Sequence, residues 1–227
     1  MSSLYTRLKI TLGKANADEH AFAALQSDHK SSVTENGDIV LNCVSHQPDI
    51  GIILYQGGRC DPRAYAPVMR ALANIGYRVI IPKMPLRLAV LDANRAGKIM
   101  QRHPDIKRWA IGGHSMGGAM AAAYAYKNPG VVSGLFFMAS YPSSMHAMPD
   151  SDLPIIMIYG THDFITRKSE FEASYDRLPQ TTNFIAIDGG DHYQFGSFGN
   201  AEVTATISRE EQQRQTTQAL VRFLGSL

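Results

Sequence analysis

Short runs rich in isoleucine, valine and aromatic residues alternate with longer stretches of helical periodicity from about residue 30 onward. Apolar runs bounded by turn residues are typical of buried strands, and strands that alternate with helices indicate βαβ units and a largely parallel sheet. The sequence therefore predicts an α/β protein. We predict strands at 32–35, 38–44, 50–55, 77–82, 109–113, 134–139, 155–159 and 184–187. Helices are predicted at about 62–75, 88–103, 115–127 and 167–178, and from 209 to the C-terminus.

Turn and capping residues mark both ends of this arrangement. Asn36-Gly37 separates the first two predicted strands and is a strong signal for a tight hairpin, so we expect an antiparallel edge. Near the C-terminus, Ser208-Arg209-Glu210-Glu211 has the S-x-x-E form of a capping box. In that motif the serine and glutamate side chains bind the free amides at the start of a helix, so the last helix is predicted to begin there.

Length and composition bound the class of protein. The 227 residues suffice for one α/β domain, and we predict an N-terminal extension at 1–30 followed by a single domain at 31–227. The net charge of +2 comes from 22 basic and 20 acidic residues without a long single-sign run, so we expect no nucleic-acid partner.

The chain lacks an apolar run of the ~20 residues that a membrane span needs, and its N-terminus lacks the apolar core of a signal peptide. The two cysteines, Cys43 and Cys60, are too few for a disulfide framework and too far apart for a C-x-x-C site. We therefore expect a cytoplasmic protein with no stable membrane anchor, and its oligomeric state stays open.

Four glycines surround one serine in the stretch 111–118, IGGHSMGG. Glycine inside a strand or helix is unfavourable, so such a cluster marks a sharp turn or a close backbone approach. Ser115 lies between a predicted strand and a predicted helix, which is the setting of a nucleophile elbow. At the start of a helix, free amides and the helix dipole also favour developing negative charge.

Gly113-His114-Ser115-Met116-Gly117 resembles the G-x-S-x-G motif of the α/β-hydrolase superfamily. The surrounding order of elements is similar to its small single-domain esterase and dienelactone-hydrolase-like members. The resemblance implies a mostly parallel central sheet with an N-terminal antiparallel hairpin and helices on both faces. Because only residues 140–154 separate the strands at 134–139 and 155–159, we expect no cap domain.

The resemblance also implies a catalytic triad in the order Ser, acid, His. Asp163 follows the strand IIMIY, and His192 follows the last predicted strand in Asp188-Gly189-Gly190-Asp191-His192. We therefore predict Ser115 as the nucleophile, His192 as the general base and Asp163 as the residue that orients the histidine.

The oxyanion hole is predicted from backbone N–H groups. One donor is Met116, directly after the nucleophile, and the other lies in the turn Gln56-Gly57-Gly58-Arg59, where glutamine replaces the histidine that is usual in the family's His-Gly-Gly turn. Gly58 is the first choice for the second donor and Arg59 the alternative.

Four side chains near the predicted site are candidates for substrate contact: Arg59, Met84, Tyr141 and Tyr193. For Arg59 an exposed surface position is the favoured alternative, and for Met84 and Tyr193 ordinary loop or core packing is an equal alternative. We interpret His114 as a packing residue and Cys60 as a bystander. Because the sequence lacks the ligand spacing of a zinc site, we expect no metal, and we expect no cofactor.

The function predicted from these residues is that of a serine hydrolase, a carboxylesterase that cleaves small or medium esters through an acyl-enzyme, with thioesters and lactones as close variants. Two alternatives stay open. One is an acyltransferase with the same triad, and the other is a binding protein on a hydrolase scaffold that catalyses nothing.

Overall fold

The computed structural model describes residues 14–166 and 168–227. Residues 1–13 of the predicted N-terminal extension and Arg167, the predicted first residue of a helix, lie outside the described residues. The strands are β1 Ser31–Thr34, β2 Ile39–Cys43, β3 Ile50–Tyr55, β4 Arg78–Ile81, β5 Arg108–His114, β6 Gly134–Met138, β7 Ile155–Gly160 and β8 Asn183–Ile187. The α-helices are α1 Glu19–Ala23, α2 Ala66–Asn74, α3 Arg95–Arg102, α4 Met116–Lys127, α5 Lys168–Glu172 and α6 Arg209–Gly225.

The eight strands form one sheet in the order β1-β2-β4-β3-β5-β6-β7-β8. β1 and β2 pair antiparallel, as the Asn36-Gly37 signal predicts, and β2 is also antiparallel to β4. All remaining pairs are parallel. The predicted mostly parallel sheet with an antiparallel N-terminal pair is confirmed.

Alternating residues of the strands form two buried clusters, one on each face of the sheet. In β3, Ile52 and Leu54 belong to one cluster, whereas Ile53 and Tyr55 belong to the other. Helices α2 and α6 cover the first face, and α3 and α4 cover the second. Helices therefore lie on both faces, as predicted, and the described residues include no cap domain between β6 and β7.

Two predicted helices are interrupted. In the first, Pro62 opens a short 3-10 turn, Pro62–Tyr65, before α2 begins at Ala66. Because Pro67 has no N–H to donate to the preceding turn, one continuous α-helix cannot form there.

The second predicted helix divides into a 3-10 turn, Ala89–Asp92, and α3. The Tyr55 hydroxyl donates to the Ala93 carbonyl and accepts from the Ala96 N–H, so a side chain of β3 binds the backbone where the two segments meet. The helix predicted at 167–178 is likewise shorter, because α5 ends at Glu172 and a separate 3-10 turn follows.

Residues 14–30 pack against the domain. The Asp18 side chain accepts from the Ala21 N–H at the start of α1 and forms an ion pair with Arg209 at the start of α6. Ala21 and Leu25 are buried. The described part of the N-terminal extension therefore shares the core of the domain.

Candidate active site

Ser115 lies at the sharp turn between β5 and α4. Its φ of 50° and ψ of −125° lie outside the regions that L-residues ordinarily occupy, and its own N–H donates to the Met138 carbonyl at 3.0 Å. Strained backbone of this kind persists only where the surrounding structure holds it, and it is found most often at functional sites. The side chain stays partly exposed.

The glycines around Ser115 make room for this turn. A methyl carbon on Gly117 would lie 2.2 Å from the Tyr55 carbonyl oxygen, and one on Gly113 would lie 2.5 Å from the Gly117 carbonyl carbon. Both contacts are with backbone atoms, which cannot rotate away. Any larger residue at these positions would push α4 away from β3 and β5.

The turn after β3 adjoins the serine because β3 and β5 are neighbours in the sheet. The chain leaves β3 for β4 on one side and returns to β5 on the other, and ligands of open α/β sheets bind at such a switch point. A methyl carbon on Gly58 would lie 3.1 Å from the Met116 methyl carbon. The two predicted oxyanion donors are therefore neighbours.

The hydrogen bonds of this turn distinguish between its N–H groups. Arg59 donates its N–H to the Arg87 carbonyl at 2.8 Å, and Gly57 donates its N–H to the Tyr65 hydroxyl at 3.0 Å. Within residues 14–166 and 168–227, neither the Gly58 N–H nor the Met116 N–H donates to a backbone carbonyl. This pattern favours Gly58 over Arg59 as an oxyanion donor.

His192 and Asp163 meet at the carboxyl edge of the sheet, after β8 and β7. The distance between His192 Nδ1 and Asp163 Oδ2 is 2.8 Å, and both side chains are nearly buried. Because an ionised carboxylate only accepts, Nδ1 carries the hydrogen, and in the neutral ring Nε2 is then the basic nitrogen.

Asp163 is held by further hydrogen bonds. Its carboxylate accepts from the N–H groups of Ile165 and Thr166 and from the Thr166 hydroxyl, each at 2.9 Å. Burial acts to raise the pKa of Asp163, but the hydrogen bond and charge interaction with His192, with the Thr166 bonds, outweigh it and lower the pKa. The carboxyl group therefore stays ionised beside the imidazole.

Two residues that were not predicted from the sequence shape the histidine loop. Asp191, which is buried, accepts from the N–H groups of Tyr193, Gln194 and Thr204 at 2.8–3.0 Å. Gln212 of α6 binds both the N–H and the carbonyl of Asp191. The position of Asp191 beside the predicted base is a signal in the sequence, but nothing in the sequence marks Gln212.

His114 is fully buried, but its surroundings are polar. Its Nδ1 lies 2.9 Å from the Tyr65 hydroxyl, its Nε2 lies 2.8 Å from the His192 carbonyl oxygen, and the ring centroids of His114 and His192 are 4.7 Å apart. The residue before Ser115 therefore contacts the predicted general base. Ser140, also missed by the sequence analysis, donates to the Ser115 carbonyl at 2.6 Å.

The four candidate substrate contacts differ in exposure. Met84 is 5% exposed and packs in the core on the α3 side of the sheet. Tyr141 is partly buried against the same core. Tyr193 is partly buried and makes an edge contact with the His192 ring, and the partly exposed Arg59 adjoins the predicted oxyanion donors. Met84 therefore has the least side chain available to a substrate.

A cavity of about 500 Å³ opens beside Asp163, which forms part of its wall. Its other walls combine aromatic side chains with the polar residues Thr161, Thr166, Lys168 and Glu172, and small-molecule sites of this size are typically apolar with a few polar groups. The aromatic side chains are Tyr159, Phe164, Phe171 and Tyr175.

Among the described residues, no group of three or more His, Cys, Asp or Glu side chains is arranged to hold a metal ion. Cys43 and Cys60 are both buried free thiols. Across the same described residues, no helix has both the length and the apolar character needed to cross a membrane.

Comparisons with known proteins concern the family and the fold. The model of a family described as "Alpha/beta hydrolase family" matches residues 51–214. A dienelactone hydrolase from Anabaena variabilis is 13% identical, with a TM-score of 0.62 and coverage of 86% of this chain and 99% of that one. An esterase domain from Rhodothermus marinus is 14% identical, with a TM-score of 0.61 and coverage of 86% and 96%.

A predicted CIB-like hydrolase from Thermoplasma acidophilum is 18% identical, with a TM-score of 0.59 and coverage of 84% of this chain and 96% of that one. A search of curated proteins found no match. At these identities the structural likeness concerns the fold, whereas the family model covers well over half of the chain. The protein therefore belongs to the alpha/beta hydrolase family.

Proposed function

We propose that this protein is a serine hydrolase that cleaves small or medium carboxylic esters, with thioesters and lactones as close variants. The observation that carries the proposal is the strained Ser115 at the start of α4, together with the hydrogen-bonded pair His192 and Asp163 at the same edge of the sheet, where the His192 ring lies 4.7 Å from the ring of the neighbouring His114. Fold relatives that are described as an esterase domain and a dienelactone hydrolase support the same reaction class.

In the proposed reaction, the Ser115 hydroxyl attacks the acyl carbon while His192 Nε2 takes its proton. The carbonyl π electrons move to oxygen, and the N–H groups of Met116 and Gly58 bind the resulting oxyanion. When the intermediate collapses, the bond to the leaving group breaks and His192 protonates that group, leaving an acyl-enzyme.

Water completes the cycle. His192 takes a proton from the water as its oxygen attacks the acyl carbon. The second intermediate then collapses, the bond between the acyl carbon and Ser115 Oγ breaks, and His192 returns the proton to Ser115 Oγ as the carboxylic acid is released. Asp163 stays ionised throughout and stabilises the imidazolium form of His192. The lowered pKa of Asp163 supports this role.

The surroundings of the site support the proposed substrate class. The cavity beside Asp163 has a volume of about 500 Å³ and both aromatic and polar walls, so it has room for a small or medium acyl or alcohol group. The short connection between β6 and β7 leaves the site without a cap that would exclude water, which favours hydrolysis over transfer to another alcohol.

The test is mass spectrometry of the protein after incubation with a fluorophosphonate, together with turnover of p-nitrophenyl esters of increasing chain length. We expect one adduct, on Ser115, and turnover of short chains. Ser115→Ala should abolish both, whereas Ser144→Ala, at an exposed serine in the connection after β6, should change neither. A folded wild-type protein without adduct and without turnover would refute the proposal and favour a binding role.

A further inference from the structure

A chain of hydrogen bonds links the two loops on which the proposed reaction depends. The Gly57 N–H lies 3.0 Å from the Tyr65 hydroxyl, that hydroxyl lies 2.9 Å from His114 Nδ1, and His114 Nε2 lies 2.8 Å from the His192 carbonyl oxygen. One end is in the turn that carries the proposed oxyanion donor, and the other end is the backbone of the proposed general base.

The direction of every bond in this chain is determined. The His192 carbonyl can only accept, so His114 Nε2 carries the hydrogen and the Nδ1 of the neutral ring accepts. The Tyr65 hydroxyl therefore donates to Nδ1 and accepts from the Gly57 N–H. Along the chain each donor meets one acceptor, and reversing any single bond would leave two donors or two acceptors facing each other. The Tyr65 hydroxyl also interacts with the buried Cys60 thiol.

Water does not reach the side chains that form this chain of hydrogen bonds. Tyr65 and His114 are both fully buried. Burial, with a smaller contribution from the charge of His192, lowers the pKa of His114 to about 3, so its ring is neutral near pH 7. A methyl carbon on Gly57 would lie 2.7 Å from His114 Nδ1, which shows how closely the turn approaches the ring.

The sheet alone does not join the two loops. The turn with Gly57 follows β3 and the loop with His192 follows β8, and β5, β6 and β7 lie between these strands. The bonds through Tyr65 and His114 cross this separation in three steps. The oxyanion donors and the general base must be held in accurate positions relative to each other, since a displacement of about 1 Å can lower the rate about 100-fold.

We propose that Tyr65 and His114 are positioning residues, which hold the oxyanion turn and the backbone of His192 in their reactive arrangement through this chain of hydrogen bonds. The proposal rests on the proposed serine hydrolase function. Neither side chain takes part in bond making: removal of the chain should reduce kcat and leave KM little changed, because neither residue reaches the substrate.

The fold offers a matched control for Tyr65. Tyr55 is also fully buried, and its hydroxyl likewise accepts from one backbone N–H, that of Ala96, and donates to one acceptor, the Ala93 carbonyl. Its bonds join β3 to the start of α3 on the other face of the sheet. Tyr55→Phe and Tyr65→Phe thus both remove a buried hydroxyl that accepts from one backbone N–H and donates to one acceptor, and Tyr65→Phe also removes the interaction with Cys60.

The experiment compares steady-state kinetics and urea unfolding of these two variants. We expect Tyr65→Phe to lower kcat about tenfold with KM within about twofold, and Tyr55→Phe to leave both constants within about twofold. Both variants should unfold at lower urea concentration than the wild type. Equal kcat in the two variants, at wild-type activity, would overturn the positioning role while the proposed function stands.

A second pair of variants tests the bond to His192 directly and serves if Tyr65→Phe fails to fold. Glutamine places an amide N–H at the same number of bonds from Cβ as His114 Nε2, and methionine has a similar length without a donor. We expect His114→Gln to retain a kcat several-fold above that of His114→Met. Equal kcat values would overturn the proposal. A wild-type protein that neither reacts with fluorophosphonate at Ser115 nor hydrolyses esters would refute the proposed function itself, and the positioning role with it.

Discussion

The region around α3 and the region around Ser115 contain the same kinds of buried polar group. Near α3, Tyr55 is fully buried and the Asp38 side chain, 4% exposed, binds Arg95 and Arg102. Near Ser115, Tyr65 is fully buried and the Asp163 side chain, 5% exposed, has several hydrogen-bond partners. In each region the carboxyl pKa is lowered although burial alone would raise it.

What differs is the element that each group holds. The bonds of Tyr55 and Asp38 end on α3 and its first turn, so they attach a helix to the sheet. The bonds of Tyr65 and Asp163 end on loops at the carboxyl edge of the sheet and on the proposed general base. Burial, pKa shift and number of hydrogen bonds therefore do not distinguish a structural group from one that serves a reaction. What differs between the two regions is the element to which the hydrogen bonds lead.

The two regions should differ most in how kcat responds when their buried carboxylate is replaced by an amide. Asp163→Asn should lower kcat by about 10³–10⁴-fold, because an amide facing His192 Nδ1 favours the wrong tautomer of the imidazole. Asp38→Asn should leave kcat within about twofold but lower the free energy of unfolding by about 1–3 kcal/mol, since the arginine partners are partly exposed. Steady-state kinetics and urea unfolding measure both effects. A large loss of kcat in Asp38→Asn would contradict the claim that Asp38 only attaches α3 to the sheet.

A second difference should appear in the pH dependence of stability. Burial holds the pKa of His114 at about 3, whereas an unfolded histidine has a pKa of about 6.5. Between these values the unfolded chain binds a proton that the folded chain does not, so the free energy of unfolding falls as pH falls. The slope from this one group is about 1.4 kcal/mol per pH unit.

Comparison of wild type with His114→Gln by urea unfolding at several pH values isolates this contribution. The variant should show a flatter dependence below about pH 6.5. His103, at the end of α3, is only partly buried, and its pKa is lowered mainly by that burial. His103→Gln should therefore flatten the dependence less than His114→Gln, and a reversed order would contradict the assignment of His114 as a buried neutral ring.

The smallest expected effect concerns a single hydroxyl beside Asp163. Thr166→Val keeps the shape of the side chain and removes its bond to Asp163 Oδ2, so kcat should fall about 3–10-fold. The control is Thr161→Val in the same loop, where the hydroxyl binds Asp188 and the Gly189 N–H instead. This control should lose little kcat, and a loss equal to that of Thr166→Val would show that general loosening of the loop, rather than support of Asp163, sets the rate.

The candidate site is more visible in the sequence than the residues that hold its loops in place. Ser115, Asp163 and His192 each follow a strand end in a glycine-containing stretch, and this local context can be read from the sequence alone. Gly58 was preferred over Arg59 for the second oxyanion donor on resemblance, and the hydrogen bond from Arg59 to Arg87 now gives a physical reason. Catalysis by these residues stays a prediction.

Tyr65 and His114 were not predicted as positioning residues because their hydrogen-bond partners are distant in sequence. Tyr65 and His114 are 49 residues apart, and His114 and His192 are 78 apart. No period or motif connects such positions, and in the sequence His114 occupies a variable position of the G-x-S-x-G motif, which indicates a packing residue. The predicted start of the helix at 88–103 was wrong for a related reason. The Tyr55 hydroxyl, which belongs to β3, binds the backbone at the start of α3.

The amino-acid sequence by itself determined the order of strands and helices, the hairpin at Asn36-Gly37, the cap at Ser208 and the tight turn at Ser115. Each of these depends on local backbone preferences and on apolar periodicity, which neighbouring residues decide. Only the tertiary structure decided which N–H groups stay available, which tautomer His114 adopts, and which buried hydroxyl faces the site. Those properties depend on directional hydrogen bonds between groups that only the folded sheet brings within 3 Å of one another.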